Sequence, residues 1–201
     1  MALDNKLGIR DAVELSHAEE RLTKKRAQEL YDKHILDTFE VGTYKGLCSI
    51  HKYLFQDVYG FAGQMRKVNI AKGHFRFAPL LYLPEALKQI EGMPQDTYDH
   101  IIDKYVEMNV AHPFWEGNGR SMRLWLDSIL KKELGQVIDW SQVDKEDYLL
   151  AMERSPVKAL EIKALLKEAL TDKINDRAVY MKGIDASYQY EGYSTYKTGE
   201  L

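Results

Sequence analysis

The 201-residue chain contains little cysteine, little proline and no long apolar run. Its one cysteine, Cys48, excludes an internal disulfide and with it a disulfide-stabilised scaffold. The composition of five prolines and 13 glycines excludes a collagen-like chain and leaves long stretches uninterrupted, which favours helix. No apolar run reaches the length of a transmembrane helix. Because Met1–Arg10 lacks an apolar stretch, we expect no secretory signal.

Neither sign of charge dominates the composition. Lys and Arg total 28 and Asp and Glu total 31, which gives a formal net charge of −3. This balance gives no support for a general affinity for nucleic acid, and we expect neither nucleic-acid nor membrane binding. With 45% apolar residues the chain can build the core of one domain, residues 1–201. We expect an intracellular, cytoplasmic protein.

The apolar spacing predicts a mostly α fold with one β-hairpin. Alternation of polar and apolar residues at 66–70 and 74–77, around Lys72-Gly73, predicts the hairpin. Asp96 or Thr97 can cap the helix that follows Pro94. The predicted helices cover 17–38, 43–58, 84–90, 98–112, 118–134, 144–155 and 157–171.

The stretch 112–123, His-Pro-Phe-Trp-Glu-Gly-Asn-Gly-Arg-Ser-Met-Arg, carries the chemistry. One helix is expected to end at His112, before Pro113, and another to begin at Asn118, whose side chain can cap it. A helix N-terminus exposes unpaired N–H groups and a positive partial charge, and flanking glycines let an anion approach them closely. The segment therefore predicts a phosphate cradle.

Charged side chains in the same stretch complete a site for a nucleotide. Arg120 and Arg123, three residues apart on a helix, can bind further phosphate oxygens. Glu116 supplies one hard oxygen ligand, and Mg²⁺ commonly binds through one or two carboxylates plus substrate phosphates. His112, if its pKa is near neutrality, is the natural general base. The pattern suggests attack of a hydroxyl on a nucleotide phosphate.

Each of these elements alone has an ordinary structural explanation. A histidine at a helix end is usually structural, a Gly-Asn-Gly loop is usually a turn, and two arginines on a helix usually form a solvated face. Their joint occurrence in this order within 12 residues favours the functional interpretation.

The stretch His112–Arg120 matches the signature of the Fic family, His-x-Phe-x-(Asp/Glu)-Gly-Asn-Gly-Arg, and Arg123 matches its usual second arginine. Phe61–Arg66 resembles the family's segment before its hairpin flap. Ser187–Gly192, Ser-Tyr-Gln-Tyr-Glu-Gly, resembles the family's inhibitory motif (Ser/Thr)-x-x-x-Glu-(Gly/Asn). Its place after the core resembles the compact bacterial type with a C-terminal inhibitory helix, known from Neisseria.

The resemblance implies a Fic fold, a helical bundle with a small β-hairpin flap, with the core at about 17–171 and the inhibitory helix at about 183–192. It also implies transfer of AMP from ATP, with Mg²⁺, to a Tyr, Thr or Ser hydroxyl of a target protein. The implied roles are proton abstraction by His112, metal binding by Glu116, an anion hole at Gly117, Asn118 and Gly119, phosphate contacts from Arg120 and Arg123, and a core anchor at Phe114.

The flap implied by the resemblance would pair with an extended segment of the target protein through main-chain hydrogen bonds. Gly119 stands where the kinase-like Doc toxins carry a lysine, which favours AMP transfer over phosphate transfer. Position 116 is Glu, although Asp is commoner. The flap residues are Val68, Asn69, Ile70, Phe75 and Phe77.

The tail is expected to regulate this site. A carboxylate at the C-terminal end of a helix opposes the helix dipole, so Glu191, just before the helix stop Gly192, calls for a cationic partner. By resemblance that partner is Arg123, the pair excludes the γ-phosphate, and Ser187 supports it. The same resemblance implies self-association and self-modification, for which Tyr188 is the candidate; Tyr190 and Tyr193 are less favoured. Packing roles for these tyrosines stay open.

Three other functions compete with AMP transfer. The same site could remove AMP by hydrolysis, or it could serve a non-enzymatic nucleotide sensor or a toxin–antitoxin component, although His112 and Glu116 argue against an inactive site. A DNA-binding helix pair is disfavoured by the acidic balance. Trp115 packs locally or lines the site. The remaining histidines lack zinc spacing with Cys48 and are interpreted as structural or surface residues; they are His17, His34, His51, His74 and His100.

Overall fold

The computed structural model describes residues 2–73 and 75–201, and within this part of the chain the fold is mostly helical. The α-helices, numbered in chain order, are α1 Ala12–Asp32, α2 Tyr44–Phe55, α3 Leu83–Glu91, α4 Tyr98–Ala111, α5 Asn118–Leu134, α6 Lys145–Arg154, α7 Leu160–Glu168 and α8 Arg177–Tyr190. In the described residues, no helix is both long and apolar enough for a membrane crossing.

Two short antiparallel strand pairs accompany the helices. In the first, β1 (Ala71–Lys72) pairs with β2 (Phe75–Arg76), with Lys72 opposite Phe75. In the second, β3 (Val137–Ile138) pairs with β4 (Leu170–Thr171). The sequence did not predict the second pair, because two residues are too few to show an alternating pattern.

The predicted strand at 66–70 is wrong, because the buried Arg66 side chain binds the carbonyl groups around it. Its guanidinium donates to Val68 O at 2.7 Å, to His112 O at 2.9 Å and, more weakly, to Ala111 O at 3.3 Å. It also donates to Ala78 O. These bonds attach the base of the hairpin to the end of α4. The predicted strand residue His74 lies outside the described residues.

Helix caps account for the two helix starts that differ most from the prediction. Asp11 accepts hydrogen bonds from Val13 N and Glu14 N, so α1 begins five residues before the predicted position 17. It ends at Asp32, and 36–38 form a separate 3₁₀ turn, so the predicted end at 38 is also wrong. Thr97 caps α4, as expected. Asp176 caps α8, which therefore begins at Arg177 rather than at about 183.

Helix α5 is the centre of the fold and packs against α2, α4 and α8. Its buried face confirms the predicted apolar stripe, and burial of each large apolar side chain contributes roughly 1.5–3 kcal/mol. The members of this stripe are Met122, Trp125, Leu126, Ile129 and Leu130. Since α8 packs on both α1 and α5, side chains of the tail reach the N-terminal turns of α5.

Candidate active site

The site begins where α4 ends at His112. This residue has φ 47° and ψ 64°, in the left-handed region, and its N–H bonds to Met108 O at 3.0 Å. Pro113 follows and disfavours a further helical residue. A left-handed conformation is costly for a residue with a side chain, so the surrounding structure must hold it in place. Such held strain is common at functional positions.

The His112 imidazole is oriented as a base. Nδ1 lies 3.2 Å from Asn109 O, and because a carbonyl only accepts, Nδ1 carries the proton and leaves the Nε2 lone pair available. The ring stacks on Phe77, with centroids 3.6 Å apart. Burial lowers the His112 pKa to about 4, and this effect outweighs the opposing influences of Asn109 O and Glu191. The pKa is therefore well below the near-neutral value expected, and the ring is neutral at pH 7.

The loop between α4 and α5 is closed by Asn118, which does not cap α5 as predicted. Its Oδ1 accepts from Phe114 N at 2.9 Å and its Nδ2 donates to Phe114 O at 2.7 Å. The N-cap position falls on Gly117, at φ 78°, where a Cβ would lie 2.4 Å from the Phe55 ring. Phe114 is fully buried, which confirms it as a core anchor.

His51 supports this loop from below, a role that the sequence did not reveal. Its Nδ1 accepts from Gly63 N at 2.8 Å, so Nε2 carries the proton and donates to Glu116 O, also at 2.8 Å. The ring stacks on Phe114 at 3.8 Å. Burial lowers the His51 pKa to about 3, so these two hydrogen bonds are kept at neutral pH. A lone histidine among apolar residues carries no pattern that indicates this role.

Glu116 points one carboxylate oxygen inward and leaves the other available. Oε1 accepts from Gly117 N at 2.9 Å and from Arg120 Nη2 at 3.0 Å. Oε2 has no hydrogen-bond partner among the described residues, and the side chain is 39% exposed. Across residues 2–73 and 75–201, no group of three or more His, Cys, Asp or Glu side chains could hold a metal. A cation here would therefore need further ligands from a bound phosphate.

Arg120 is buried rather than solvated. It pairs with the buried Glu19 of α1 as well as with Glu116. Glu19 also accepts hydrogen bonds from Tyr59 and, at 3.1 Å, from Tyr193. Despite the burial, the negative charge of Glu19 raises the Arg120 pKa. Arg120 thus positions Glu116, and its direct contact with a phosphate stays a prediction. Glu19 was missed because it is one of many acidic residues on α1.

Arg123 is bound by the end of α8. Nε donates to Ser187 Oγ at 2.6 Å, and Nη2 donates to Ser187 O at 2.9 Å and to Glu191 Oε1 at 3.1 Å. The guanidinium is buried and lies over the ring of Tyr190. The structure therefore brings together Arg123, Ser187 and Glu191, as the resemblance to the inhibitory motif implied, although Arg123 is 64 and 68 positions from the other two.

The Glu191 carboxylate also covers the first turn of α5. A Cβ at Gly119 would lie 2.4 Å from Glu191 Oε1, so a side chain there would displace the Glu191 carboxylate. Glu191 Oε2 lies 3.4 Å from Lys72 Nζ on the hairpin. Burial alone would raise the Glu191 pKa, but the charges of Arg123, Lys72 and Arg120 outweigh it and lower the pKa to about 2. Gly192, at φ 91°, ends the helix as predicted.

The tail tyrosines are engaged in packing in this state. Tyr188 is buried, and its hydroxyl donates to Thr23 Oγ1 at 2.7 Å. Burial raises its pKa to about 12. Tyr190 donates to Val143 O at 2.8 Å, and Tyr193 donates to Glu19 at 3.1 Å. Modification of Tyr188 would therefore require α8 to leave its place.

The predicted flap residues divide into three groups. Val68 is exposed, and Asn69 is fixed because its Oδ1 accepts from Leu80 N at 2.7 Å. Phe75 and Phe77 contact each other edge to face, and Phe77 reaches His112. Ile70 precedes β1 and is half-buried. Outside the flap, Trp115 is 48% exposed and its ring lies 5.7 Å from that of Phe61, so it packs locally.

The sequence is similar to known proteins over most of its length. A model of the Fic/DOC family matches residues 42–130. The "Protein adenylyltransferase VbhT" of Bartonella schoenbuchensis is 32% identical over 90% of this chain and 40% of its own length. The "Probable protein adenylyltransferase y4lH" of Sinorhizobium fredii is 31% identical over 76% of this chain and 82% of its own length. The chain thus spans less than half of the Bartonella relative.

Solved structures share the fold. The BepC protein of Bartonella tribocorum with bound AMPPNP superimposes with a TM-score of 0.69 at 20% identity, over 85% of this chain and 93% of that one. An N-terminal Fic domain of Bartonella quintana with bound ADP gives a TM-score of 0.70 at 20% identity, over 89% of this chain and 93% of that one. These likenesses confirm the predicted helical fold with its hairpin.

Proposed function

The chain belongs to the Fic/DOC family, and on that premise we propose that it is a protein adenylyltransferase held in an inhibited state by α8. It would transfer AMP from ATP to a Tyr, Thr or Ser hydroxyl of a target protein. The observation that carries this proposal is the neutral His112, with Nε2 available, on the loop that leads into the glycine-flanked N-terminus of α5. Relatives named adenylyltransferases support it.

The chemistry requires a base and an anion site close together. His112 Nε2 takes the proton from the target hydroxyl as its oxygen attacks the α-phosphorus of ATP. The bond from that phosphorus to the bridging oxygen of the β-phosphate breaks, and pyrophosphate leaves. The N-terminal turn of α5 stabilises the negative charge that develops on the phosphate oxygens. Because His112 is already neutral, no prior deprotonation is needed at pH 7.

Glu116 would hold Mg²⁺. Its unpaired Oε2 is the hard oxygen donor that this ion prefers, and the bonds to Gly117 and Arg120 fix the direction of the carboxylate. Bound Mg²⁺ would supply charge neutralisation for the phosphates. His51 and Arg120 keep this carboxylate in place by holding the loop and the inner oxygen.

The position of Glu191 supports the proposed inhibition. Its ionised carboxylate lies over Gly119 and binds Arg123, so it takes the place and the cation that a terminal phosphate would use. Two negative groups cannot share this position without strong repulsion. Release of α8 would free Arg123 for the γ-phosphate and expose Tyr188 for self-modification. The target protein would dock on the flap. We also propose that the chain self-associates.

The proposed function is tested by incubating the full chain with ATP and Mg²⁺ and detecting AMP on protein by mass spectrometry. Glu191→Gly should raise the transfer rate by about 5- to 150-fold, the range of typical coupling energies. His112→Ala in the Glu191→Gly background should abolish the reaction. Gln189→Gly, an exposed position in the last turn of α8, controls for the flexibility that glycine introduces. Equal rates for Glu191→Gly and Gln189→Gly would contradict the inhibitory role of Glu191.

Removal of AMP by hydrolysis is the second candidate, because an ionised Glu191 beside the anion site can orient water. The two reactions respond to Glu191→Gly in opposite directions. Transfer should increase, whereas release of AMP from a modified protein should be lost. Both rates measured on the same variant therefore identify which reaction the site performs.

A further inference from the structure

Phe77 is one of the predicted flap residues, and its ring lies against the base. The Phe77 and His112 rings are nearly parallel, at 16°, with centroids 3.6 Å apart. Phe75 touches Phe77 edge-on at 5.0 Å and has no stacking contact with His112. The described residues of the hairpin therefore place one aromatic ring on the imidazole and a second ring behind it.

From this stacking the structure assigns Phe77 as a positioning residue for the base. The Nδ1 bond to Asn109 O holds one edge of the imidazole, and the Phe77 ring covers its face, so the two contacts together fix the direction of Nε2. The assignment deepens the proposed function and rests on it. It also means that a target segment bound to the hairpin acts on the element that holds the base.

The same ring keeps solvent from the imidazole. Charged groups near His112 come from three elements: Arg66 before the hairpin, Lys72 on β1 and Glu191 on α8. Arg66 and Lys72 lower the His112 pKa and Glu191 raises it, but burial has the largest effect. Removal of the aromatic ring should therefore let the pKa rise towards its ordinary value, with the charges unchanged.

Phe77→Leu tests the assignment, with Phe75→Leu as the matched control on the same hairpin. In NMR titrations of the full chain, Phe77→Leu should raise the His112 pKa by about one unit, and Phe75→Leu should leave it unchanged. In the Glu191→Gly background at pH 7.5, Phe77→Leu should lower kcat about tenfold without changing KM for ATP. An unchanged His112 pKa in Phe77→Leu would overturn the assignment. If Glu191→Gly itself transfers no AMP, the proposed function fails, and the titration still decides the role of Phe77.

A separate observation concerns the segment that follows α8. Lys24 of α1 is buried and binds Glu20 and Asp185, each at 3.0 Å, as well as the carbonyl of Tyr196. Asp185 of α8 accepts from Thr198 N at 3.0 Å and Oγ1 at 2.7 Å. Glu20 in turn accepts from the backbone N–H groups of residues 195 and 196.

These bonds join α1, α8 and the chain end through one buried cluster. We infer that residues 195–198 form a clamp that sets how firmly α8, and with it Glu191, is held over the site. Asp185 lies in the C-terminal half of α8, six residues before Glu191, so a bond lost at Asp185 weakens the hold on the inhibitory carboxylate. The inference rests on the proposed inhibition by α8.

Thr198→Val and Lys24→Met test the clamp, and Lys182→Met, at an exposed lysine of α8, is the control. Thr198→Val keeps the side-chain shape and removes one hydrogen bond, so it should still fold if Lys24→Met does not. Both variants should speed amide exchange in α8 and raise AMP transfer by about tenfold, while Lys182→Met changes neither. Unchanged exchange in Thr198→Val would overturn the clamp. A Glu191→Gly variant that transfers no AMP would instead contradict the proposed function. The amide-exchange measurement would still decide whether residues 195–198 hold α8.

Discussion

Glu191 Oε1 lies 3.1 Å from Arg123 Nη2, and the same oxygen would lie 2.4 Å from a Cβ at Gly119. One carboxylate thus neutralises a buried cation and covers the first turn of α5. The three nearby cationic groups keep it ionised, because they lower its pKa to about 2. The proposed inhibition needs no change in the base, whose ring and hydrogen bond are already in place.

Removal of the Ser187 hydroxyl should weaken this contact without abolishing it. Ser187→Ala removes the bond from Arg123 Nε, and a hydrogen bond to a charged group contributes about 1.5–3 kcal/mol. We expect the rate of AMP transfer to rise, but by less than in Glu191→Gly, because the bond from Arg123 to Glu191 is retained. The exposed Ser194→Ala is the control and should match the parent. A rate for Ser187→Ala equal to that of Ser194→Ala would argue against the role of this hydroxyl.

If Glu116 holds Mg²⁺, its replacement should remove the effect of Mg²⁺ on nucleotide binding. Glu116→Gln keeps the side-chain shape but removes the negative charge on Oε2. In the Glu191→Gly background, addition of Mg²⁺ should tighten binding of a non-hydrolysable ATP analogue, measured by calorimetry, and Glu116→Gln should remove this Mg²⁺ effect. Glu107→Gln, at an exposed position of α4, should retain it. Mg²⁺ enhancement that survives in Glu116→Gln would place the ion elsewhere.

Glu19 should be essential for stability. Glu19→Gln leaves the buried Arg120 without its main compensating charge, and breaking a buried ion pair typically costs about 3–5 kcal/mol. Denaturant unfolding should show a loss of this size, whereas Glu107→Gln should change the free energy of unfolding by less than about 0.5 kcal/mol. A small loss in Glu19→Gln would show that Glu116 alone compensates Arg120.

The stabilising effect of Glu191 should decrease as the pH is lowered from about 4.5 to about 2. The Glu191 pKa is 4.5 in the unfolded chain and about 2 in the folded chain, where the carboxylate lies beside Arg123, Lys72 and Arg120. The ionised carboxylate therefore stabilises the fold fully above pH 4.5, and this stabilisation is lost as the pH falls through about 2. The difference in Tm between the parent and Glu191→Gln should therefore be constant from neutral pH to about pH 5 and narrow below it. A difference that is independent of pH would show that the carboxylate is not ionised by its partners.

Local patterns predicted most of the helices but not all of their ends. The bounds of α4 and α5 agree with the apolar spacing to within one residue, because each of these helices buries one continuous face, whereas α2 ends three residues before the predicted position 58. The start of α1 was missed because its first turn is exposed and only the cap at Asp11 marks it. The strand predicted at 66–70 failed because a pattern of alternation cannot show that the Arg66 side chain takes the nearby carbonyls.

The motif residues were found from the sequence, but several of their partners were not. His51 and Glu19 lie far along the chain from Glu116 and Arg120, in segments with no distinctive pattern. The expectation that Asn118 caps α5 was wrong, since its side chain reaches back to Phe114 instead. The roles assigned to Arg120 at a phosphate and to Tyr188 in self-modification stay predictions.

The sequence by itself determined the helices, the glycine-flanked start of α5 and the set of chemical groups beside it. These properties depend on neighbours within a few residues, where chain geometry is nearly the same in any fold. Only the tertiary structure decided that Glu19 meets Arg120, that His112 is neutral, and that Phe77 faces the base rather than solvent. Such properties depend on burial and on contacts between distant segments, which arise only when the helices pack together.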